Sequence, residues 1–335
     1  MKKILILTTG GTISSVPSIN GLVPTDASDY FKKIIRDPEV ELEFEKIMVL
    51  DSSNIQPEEW KIIATDIYNN LSKYDGIIIT HGTDTMAYTA SMMCFMIQHP
   101  SIPIVFTGSQ LPLHHPLTDA YDNLNAALVM AKSGIKGIFI AFNRKIMIGC
   151  RAVKVRSSDF DAFESINLRY IGKISATGLT IKPELVKYYD DEPILNTKID
   201  TNVFLLKMTP TTNPNIIDLL IKSGIKGIVI EAYGAGGLSY EWRDYVSKIH
   251  DCIKNNIPVV LTSQCLYDPS NFNIYEVGQR AIKTGAIEAL DMTSEAAVCK
   301  LMYALGQTSS LDEIKRIFRT EIAQEIRTEA EKNIE

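Results

Sequence analysis

The sequence predicts an α/β protein: a larger N-terminal domain built on a doubly wound, mostly parallel sheet, then a smaller C-terminal α/β domain. Three observations carry that expectation. Short β-branched runs such as Gly76-Ile77-Ile78-Ile79 end in Gly and hydroxyl residues, as strands buried on both faces do. Helical segments separate these runs, so strands and helices alternate as in βαβ units. At Tyr188 to Thr201 the alternation breaks into a polar stretch carrying a Pro, and beyond it the pattern restarts. The resulting division is a domain over 1–187, a linker over 188–201 and a second domain over 202–335.

Each element has its own signal. Lys3 to Thr8 is a first strand that turns at Thr8-Thr9-Gly10-Gly11-Thr12, where paired glycines let the backbone pass close to something bound. Ser14 to Asp29 is polar and long, the mark of a lid. Ile47 to Leu50 is a strand ending in Asp51-Ser52-Ser53-Asn54. Pro57 then opens a helix with Glu58 and Glu59 in its first turn, where they complement the helix dipole. Trp60, Ile63 and Ile67 recur at helical spacing and are core. After the strand Gly76 to Ile79, the turn His81-Gly82-Thr83-Asp84-Thr85 leads into an apolar helix starting near Asp84. Further strands are Ile102 to Thr107, ending at Gly108-Ser109-Gln110, and Gly137 to Phe142, ending at Asn143; Asp119 to Lys132 is a helix between them. The C-terminal half offers strands Val203 to Met208, Gly227 to Glu231 and Pro258 to Leu261, with helices near Asn215 to Lys222 and Glu241 to Asn255. A tail helix opens with a capping box, Ser310 and Glu313.

Composition narrows the function classes. With 45% hydrophobic and 22% charged residues in 335, the chain is ordinary for a globular protein. The formal charge of −6 offers no basic footprint for nucleic acid or an anionic membrane. No apolar run approaches the roughly 18 residues of a membrane span. The apolar segment Ile4-Leu5-Ile6-Leu7 is too short for a secretory signal. Five scattered cysteines without a CxxC fit a reducing cytoplasm and neither a disulfide framework nor a zinc cluster. His114-His115 reads as a surface loop, and no metal or other cofactor is assigned.

The strand ends collect Thr12, Ser52, Ser53, Thr83, Asp84, Ser109 and, from the alternating run Arg151 to Arg156, Lys154. Ligands of open α/β sheets bind at such ends. Asp84 also has a plain structural reading as the N-cap of the next helix, and Lys154 as a solvated strand lysine. There is no Ser-His-Asp order and no GxSxG elbow. A threonine hydroxyl becomes a nucleophile only if something removes its proton. A Thr-Lys-Asp arrangement does so when the lysine takes the proton through a second hydroxyl and the carboxylate holds the lysine. Backbone N–H groups of the turns at Gly11 and Gly82 would hold an oxyanion, and Ser52 and Ser53 suit a small polar ligand. By spacing alone the residues describe a hydrolase or a sugar- or amino-acid-binding protein.

Thr8-Thr9-Gly10-Gly11-Thr12-Ile13 and Ile79-Thr80-His81-Gly82-Thr83-Asp84-Thr85-Met86-Ala87-Tyr88-Thr89-Ala90 resemble the two signature motifs of the bacterial-type L-asparaginases. Asp51-Ser52-Ser53, the run from Arg151 through Lys154 to Phe163, and Ser263-Gln264-Cys265 with Asp291-Met292-Thr293-Ser294-Glu295-Ala296 are similar to the cytosolic, type I branch. The resemblance spans nearly the whole chain. It implies hydrolysis of L-asparagine to L-aspartate and ammonia, leaving glutamine use open, in a homodimer or homotetramer with active sites shared between subunits. Thr12 matches the nucleophile that forms an acyl-enzyme, and Thr83, Asp84 and Lys154 match the proton relay. Gly11, Asp51, Ser52, Ser53 and Gly82 match the positions around the substrate.

Three departures from the family pattern stand out. Where many members carry a lid tyrosine in a Gly-Tyr-x-Pro setting, this chain has Gly21-Leu22-Val23-Pro24, and Leu22 has no hydrogen-bond donor. In relatives with that substitution a tyrosine of the partner's C-terminal domain takes its place, and the matching residue is Tyr275; Tyr30 is a rival nearer the lid. Tyr233-Gly234-Ala235-Gly236-Gly237 lacks an asparagine common in that loop. Val153 stands where an allosterically regulated relative has an effector-site threonine, which leaves allostery open. Two other classes share features with the chain. A tRNA-dependent amidotransferase subunit carries the same core behind an extra N-terminal domain, whereas this sequence opens on its first catalytic strand. A non-catalytic amino-acid-binding module would not need Lys154 and Asp84 beside two threonines.

Overall fold

A computed structural model of the protein describes residues 1–19, 21–26, 28–35 and 37–327. Residues 20 and 27 of the expected lid and 328–335 of the expected C-terminal domain lie outside them. The chain divides into two α/β units, Met1–Thr197 and Lys198–Glu335.

The first unit contains β1 (Lys2–Gly10), β2 (Ser15–Ser18), β3 (Gly21–Pro24), α1 (Ser28–Ile34), β4 (Val40–Leu50), α2 (Pro57–Asn70), β5 (Gly76–Thr80), α3 (Met86–Met96) and β6 (Ile97–Gln98). It continues with β7 (Pro103–Thr107), α4 (Ala120–Ala131), β8 (Gly137–Phe142), β9 (Lys145–Ile148), β10 (Ala152–Lys154), β11 (Phe163–Ser165), β12 (Gly172–Ser175), β13 (Gly178–Ile181) and β14 (Ile194–Leu195). Eight strands form one sheet in the order β13-β12-β9-β8-β7-β5-β1-β4. The five from β8 to β4 run parallel and the other three extend the sheet antiparallel. This is the large, mostly parallel sheet that the alternating runs predict. Ile77, Ile78 and Ile79 are wholly buried, and each contributes roughly 1.5–3 kcal/mol by leaving water.

Differences from the expected elements have physical causes. The strand expected from Ile47 begins at Val40, because Glu41, Glu43 and Glu45 alternate along a sheet edge where water solvates them. Lys3 donates to Glu43 across that edge at 3.1 Å. The expected polar lid is partly a two-stranded hairpin, β2 with β3, tied at its base by Thr25 donating to the Ser14 carbonyl at 2.7 Å. The stretch read as a linker carries β14, which pairs with β6, and the Pro193 carbonyl accepts from Tyr68 at 3.3 Å. The run read as a strand from Arg151 begins as a short 3-10 turn, Gly149–Arg151, before β10.

The second unit contains β15 (Val203–Lys207), α5 (Asn215–Lys222), β16 (Gly227–Ala232), α6 (Tyr245–Lys254), β17 (Val259–Ser263), α7 (Glu276–Lys283), β18 (Ile287–Glu288), α8 (Ser294–Gln307) and α9 (Leu311–Arg319). Its four strands are parallel in sequence order. Ile217, Ile228, Tyr245, Ile249, Val259 and Phe272 are the wholly buried centre of its core. The sixth helix starts at Tyr245 rather than Glu241, because the Asp244 carboxylate caps it through the Ser247 N–H at 3.0 Å. Half of the expected capping box forms on α9: Ser310 accepts from the Glu313 N–H at 3.4 Å, but the Glu313 carboxylate accepts from Arg316 and the Ser310 N–H donates to Thr308 Oγ1.

One buried ion pair anchors the end of this unit. Lys300, on α8, and Glu325 are both wholly buried, and the ammonium also donates to the Thr320 carbonyl at 2.8 Å. The Glu325 carboxylate accepts in turn from the N–H groups of Ile322 and Ala323. Breaking such a pair leaves a buried charge without its counter-ion. Lys300→Met is therefore expected to lose about 3–5 kcal/mol of stability, read by urea denaturation. A loss below about 1 kcal/mol, the range of a surface pair, would contradict this role.

Candidate active site

The strand order places the candidate residues together. Neighbours of β1 are β4 on one side and β5 on the other, so the chain reverses its direction across the sheet there. In open α/β sheets such a reversal opens a crevice at the carboxyl ends of the strands. Thr12 follows β1, Ser52 and Ser53 follow β4, Thr83 and Asp84 follow β5, and Gln110 follows β7. Lys154 ends β10, which is held by antiparallel pairing with β11.

Two glycines bring the first and third of these turns into direct contact. Gly11 has φ +79°, and a Cβ there would meet the Gly82 N at 2.4 Å and its Cα at 2.5 Å. A Cβ on Gly82 would in turn meet the Ser52 Oγ at 2.6 Å. Any larger residue would force the peptides preceding Thr12 and Thr83 apart. Thr9 adds a bond from its hydroxyl to the Thr80 carbonyl at 2.9 Å. Both glycines, expected beside the substrate, are thus required by packing.

Lys154 sits at the centre of the polar cluster. Its Nζ donates to Thr83 Oγ1 at 2.8 Å and to Asp84 Oδ1 at 2.6 Å. The lysine side chain is only 17% exposed and its carboxylate partner 63%, so the amine points inward, unlike a solvated strand lysine. Asp84 is no helix cap: α3 begins at Met86 after Thr85, and the Asp84 carboxylate is committed to Lys154. Its backbone N–H donates to Ser52 Oγ at 3.3 Å, and Thr85 Oγ1 donates to the Ser52 carbonyl at 2.7 Å. Ser52 is thereby buried as a brace between two turns, while Ser53 is exposed. The Ser53 hydroxyl donates to Asp51 at 2.6 Å and its N–H at 2.9 Å. Those two bonds hold the Asp51 carboxyl below its ordinary value, the hydroxyl contributing most.

Thr12 opens a short 3-10 turn and is partly exposed. Among the described residues no hydrogen bond is made by its hydroxyl. His81 is wholly buried, and burial pushes its pKa down to about 4. The ring is neutral, with Nδ1–H donating to the Gly82 carbonyl at 2.7 Å, a tautomer inferred because a carbonyl only accepts. Tyr275 lies in the second unit just before α7 and is 56% exposed, which excludes a core role. Leu22, on β3, is 52% exposed. Tyr30 is engaged with Tyr121 through their hydroxyls at 3.4 Å, and Val153 is buried beside Lys154.

Gln110 belongs to this cluster although nothing in its residue type singled it out. Its Oε1 accepts from Thr83 Oγ1 at 3.2 Å. The only sequence signal was its place at the end of a buried strand, after Gly108-Ser109.

The comparisons with known proteins agree with this geometry. The family "Asparaginase, N-terminal" matches residues 3–187, and "Glutaminase/Asparaginase C-terminal domain" matches residues 202–318. The chain is similar to the L-asparaginase of Thermococcus kodakarensis, at 40% identity over 97% of this chain and 99% of that one. The structure of that thermostable enzyme superposes with a TM-score of 0.93, at 41% identity over 97% of this chain and 99% of the other. L-asparaginase I from Vibrio cholerae superposes at 0.87, with 30% identity and coverage of 98% and 99%. The chain is also 38% identical to a glutamyl-tRNA(Gln) amidotransferase component from Methanosphaera stadtmanae, over 99% of this chain and 78% of that one. With both domain families matched in order, and the signature turns packed against each other in a sheet crevice, the chain belongs to the asparaginase family, alongside its type I members.

Proposed function

We propose that the protein hydrolyses L-asparagine to L-aspartate and ammonia through an acyl-enzyme on Thr12, in the cytoplasm and without a cofactor. The observation that carries this reading is Lys154 Nζ held between Thr83 Oγ1 at 2.8 Å and Asp84 Oδ1 at 2.6 Å. In this mechanism the Thr12 oxygen attacks the side-chain amide carbon while its proton passes to Thr83, whose own proton passes to the Lys154 amine. The Asp84 carboxylate stabilises the ammonium so formed. Collapse of the tetrahedral intermediate returns that proton to the leaving nitrogen, and ammonia departs. Water then attacks the ester, and the same relay takes and returns a proton as Thr12 is released. Five cysteines outside any disulfide, four of them buried, suit a reducing compartment.

Similarity to an amidotransferase component favours a second reading, in which the ammonia serves a tRNA-linked amidation. One experiment separates the two: incubate the purified chain with asparagine alone and measure ammonia. Steady release without tRNA or a partner subunit supports the hydrolase; release only in their presence supports the amidotransferase.

Tyr275 is proposed to complete the site of a second subunit in place of the missing lid tyrosine, making the protein a homodimer or homotetramer. Its hydroxyl makes no hydrogen bond among the described residues. Leu266, Tyr267 and Ile274 are exposed beside it in sequence, apolar surface of the kind a second copy buries. Mixing inactive Thr12→Ala subunits with inactive Tyr275→Phe subunits is expected to restore activity, because one site of each mixed dimer then holds both residues. No recovery despite proven subunit exchange, or a fully active Tyr275→Phe enzyme, would reject the shared site.

A further inference from the structure

We infer that Gln110 is a positioning residue, one that fixes the direction of the Thr83 hydroxyl and stabilises the state in which Lys154 carries the proton. The inference rests on the relay reading of Thr83 given above. Its physical basis is the polarity of one amide. Gln110 Nε2 donates to the carbonyls of Ser157 at 3.1 Å and Asp159 at 3.0 Å. Both carbonyls only accept, so Nε2 must face them and Oε1 must face Thr83. The amide therefore cannot flip without losing two hydrogen bonds and presenting N–H groups to Thr83.

The partners on either side are themselves held. The Gln110 backbone N–H donates to both oxygens of Asp119 at 3.0 Å, which fixes the start of the loop after β7. The loop that supplies the two carbonyls is pinned through Asp161. Its carboxylate accepts from Lys145 Nζ at 2.5 Å and Asn143 Nδ2 at 2.8 Å, and its carbonyl accepts from Arg156 at 2.7 Å. Burial alone would raise the Asp161 carboxyl, but its bonds to Lys145 and Asn143 outweigh that and hold it below its ordinary value.

Thr83 has one proton to donate. When Lys154 is an ammonium it donates to Thr83 Oγ1, so the Thr83 proton needs an acceptor elsewhere, and Gln110 Oε1 is that acceptor. When the amine is neutral, the same hydroxyl can turn towards Nζ and give up its proton as it receives that of Thr12. Gln110 makes and breaks no covalent bond; it satisfies Thr83 after the relay has delivered its proton to the lysine. A hydroxyl left without that acceptor would destabilise the intermediate and slow both acylation and deacylation.

The test compares wild type and Gln110→Met in ammonia release from asparagine, with thermal midpoints measured on each. Gln110→Met, which removes the acceptor, is expected to lower kcat by about 10- to 100-fold with KM within about twofold and an almost unchanged midpoint. A Gln110→Met enzyme at wild-type kcat would overturn the inference. So would a kcat loss matched by a rise in KM and a fall in midpoint, which marks a structural role. A wild type inert towards asparagine would reject the asparaginase reading instead. Neutron structures then decide on Gln110: a Thr83 deuteron aimed at Gln110 Oε1 in the wild type supports the positioning role, and one aimed elsewhere overturns it.

Discussion

Replacing Thr12 by alanine is expected to lower turnover on the order of 10⁴-fold or more, while the fold and asparagine binding survive. Such a loss corresponds to about 5.5 kcal/mol of transition-state stabilisation, far more than one hydrogen bond contributes. The size follows from losing the covalent route, since no other hydroxyl inherits the place of Thr12 after the Gly10-Gly11 turn. The change should be structurally mild: Thr12 is partly exposed, opens a short 3-10 turn, and makes no side-chain hydrogen bond among the described residues. Steady-state kinetics with isothermal titration of asparagine checks both halves. Retention of most activity would move the nucleophile's role to Thr83.

Lys154→Met is the second large effect, with kcat expected to fall by about 10²- to 10⁴-fold, the usual contribution of a positioned proton-transfer group. Methionine keeps the volume of the lysine stem, which is mostly buried, and removes only the amine. The carboxylate left behind does not threaten the fold. Asp84 is 63% exposed and regains water, so the stability cost should stay within about 1 kcal/mol. This is the reverse of Lys300→Met, where the abandoned carboxylate is wholly buried. Two lysine-to-methionine changes in one chain should therefore separate: one loses activity and keeps the fold, the other loses the fold's margin. A Lys154→Met enzyme within tenfold of wild type, or one that unfolds, would contradict the relay.

What the sequence made legible follows burial. The first, fifth, seventh and eighth strands are buried on both faces, so their apolar runs stand out and their carboxyl ends could be read as site positions. The first half of β4 was hidden because an edge strand alternates glutamates like a solvated segment. The pairing of Lys154 with Asp84 needed two residues 70 apart in sequence to meet, and the turn by itself favoured a helix cap. Gln110 was harder still: its role lies in which way an amide faces, set by carbonyls 47 and 49 residues away. Lys300 sits in an apolar helix and resembles a snorkelling surface lysine until its partner Glu325 is seen. The packing of Gly11 on Gly82 was likewise invisible, because a glycine required by a close approach and one required by a turn read alike.

The central claim is that Thr12 carries the acyl group, and trapping that intermediate tests it most directly. Enzyme mixed with asparagine, quenched in acid within a turnover and digested, should yield the peptide containing Thr12 bearing a β-aspartyl ester. The adduct should be absent from Thr12→Ala and should accumulate when deacylation is slowed. An adduct on Thr83, or steady release of ammonia with no ester on any residue under conditions that preserve such esters, would contradict the account.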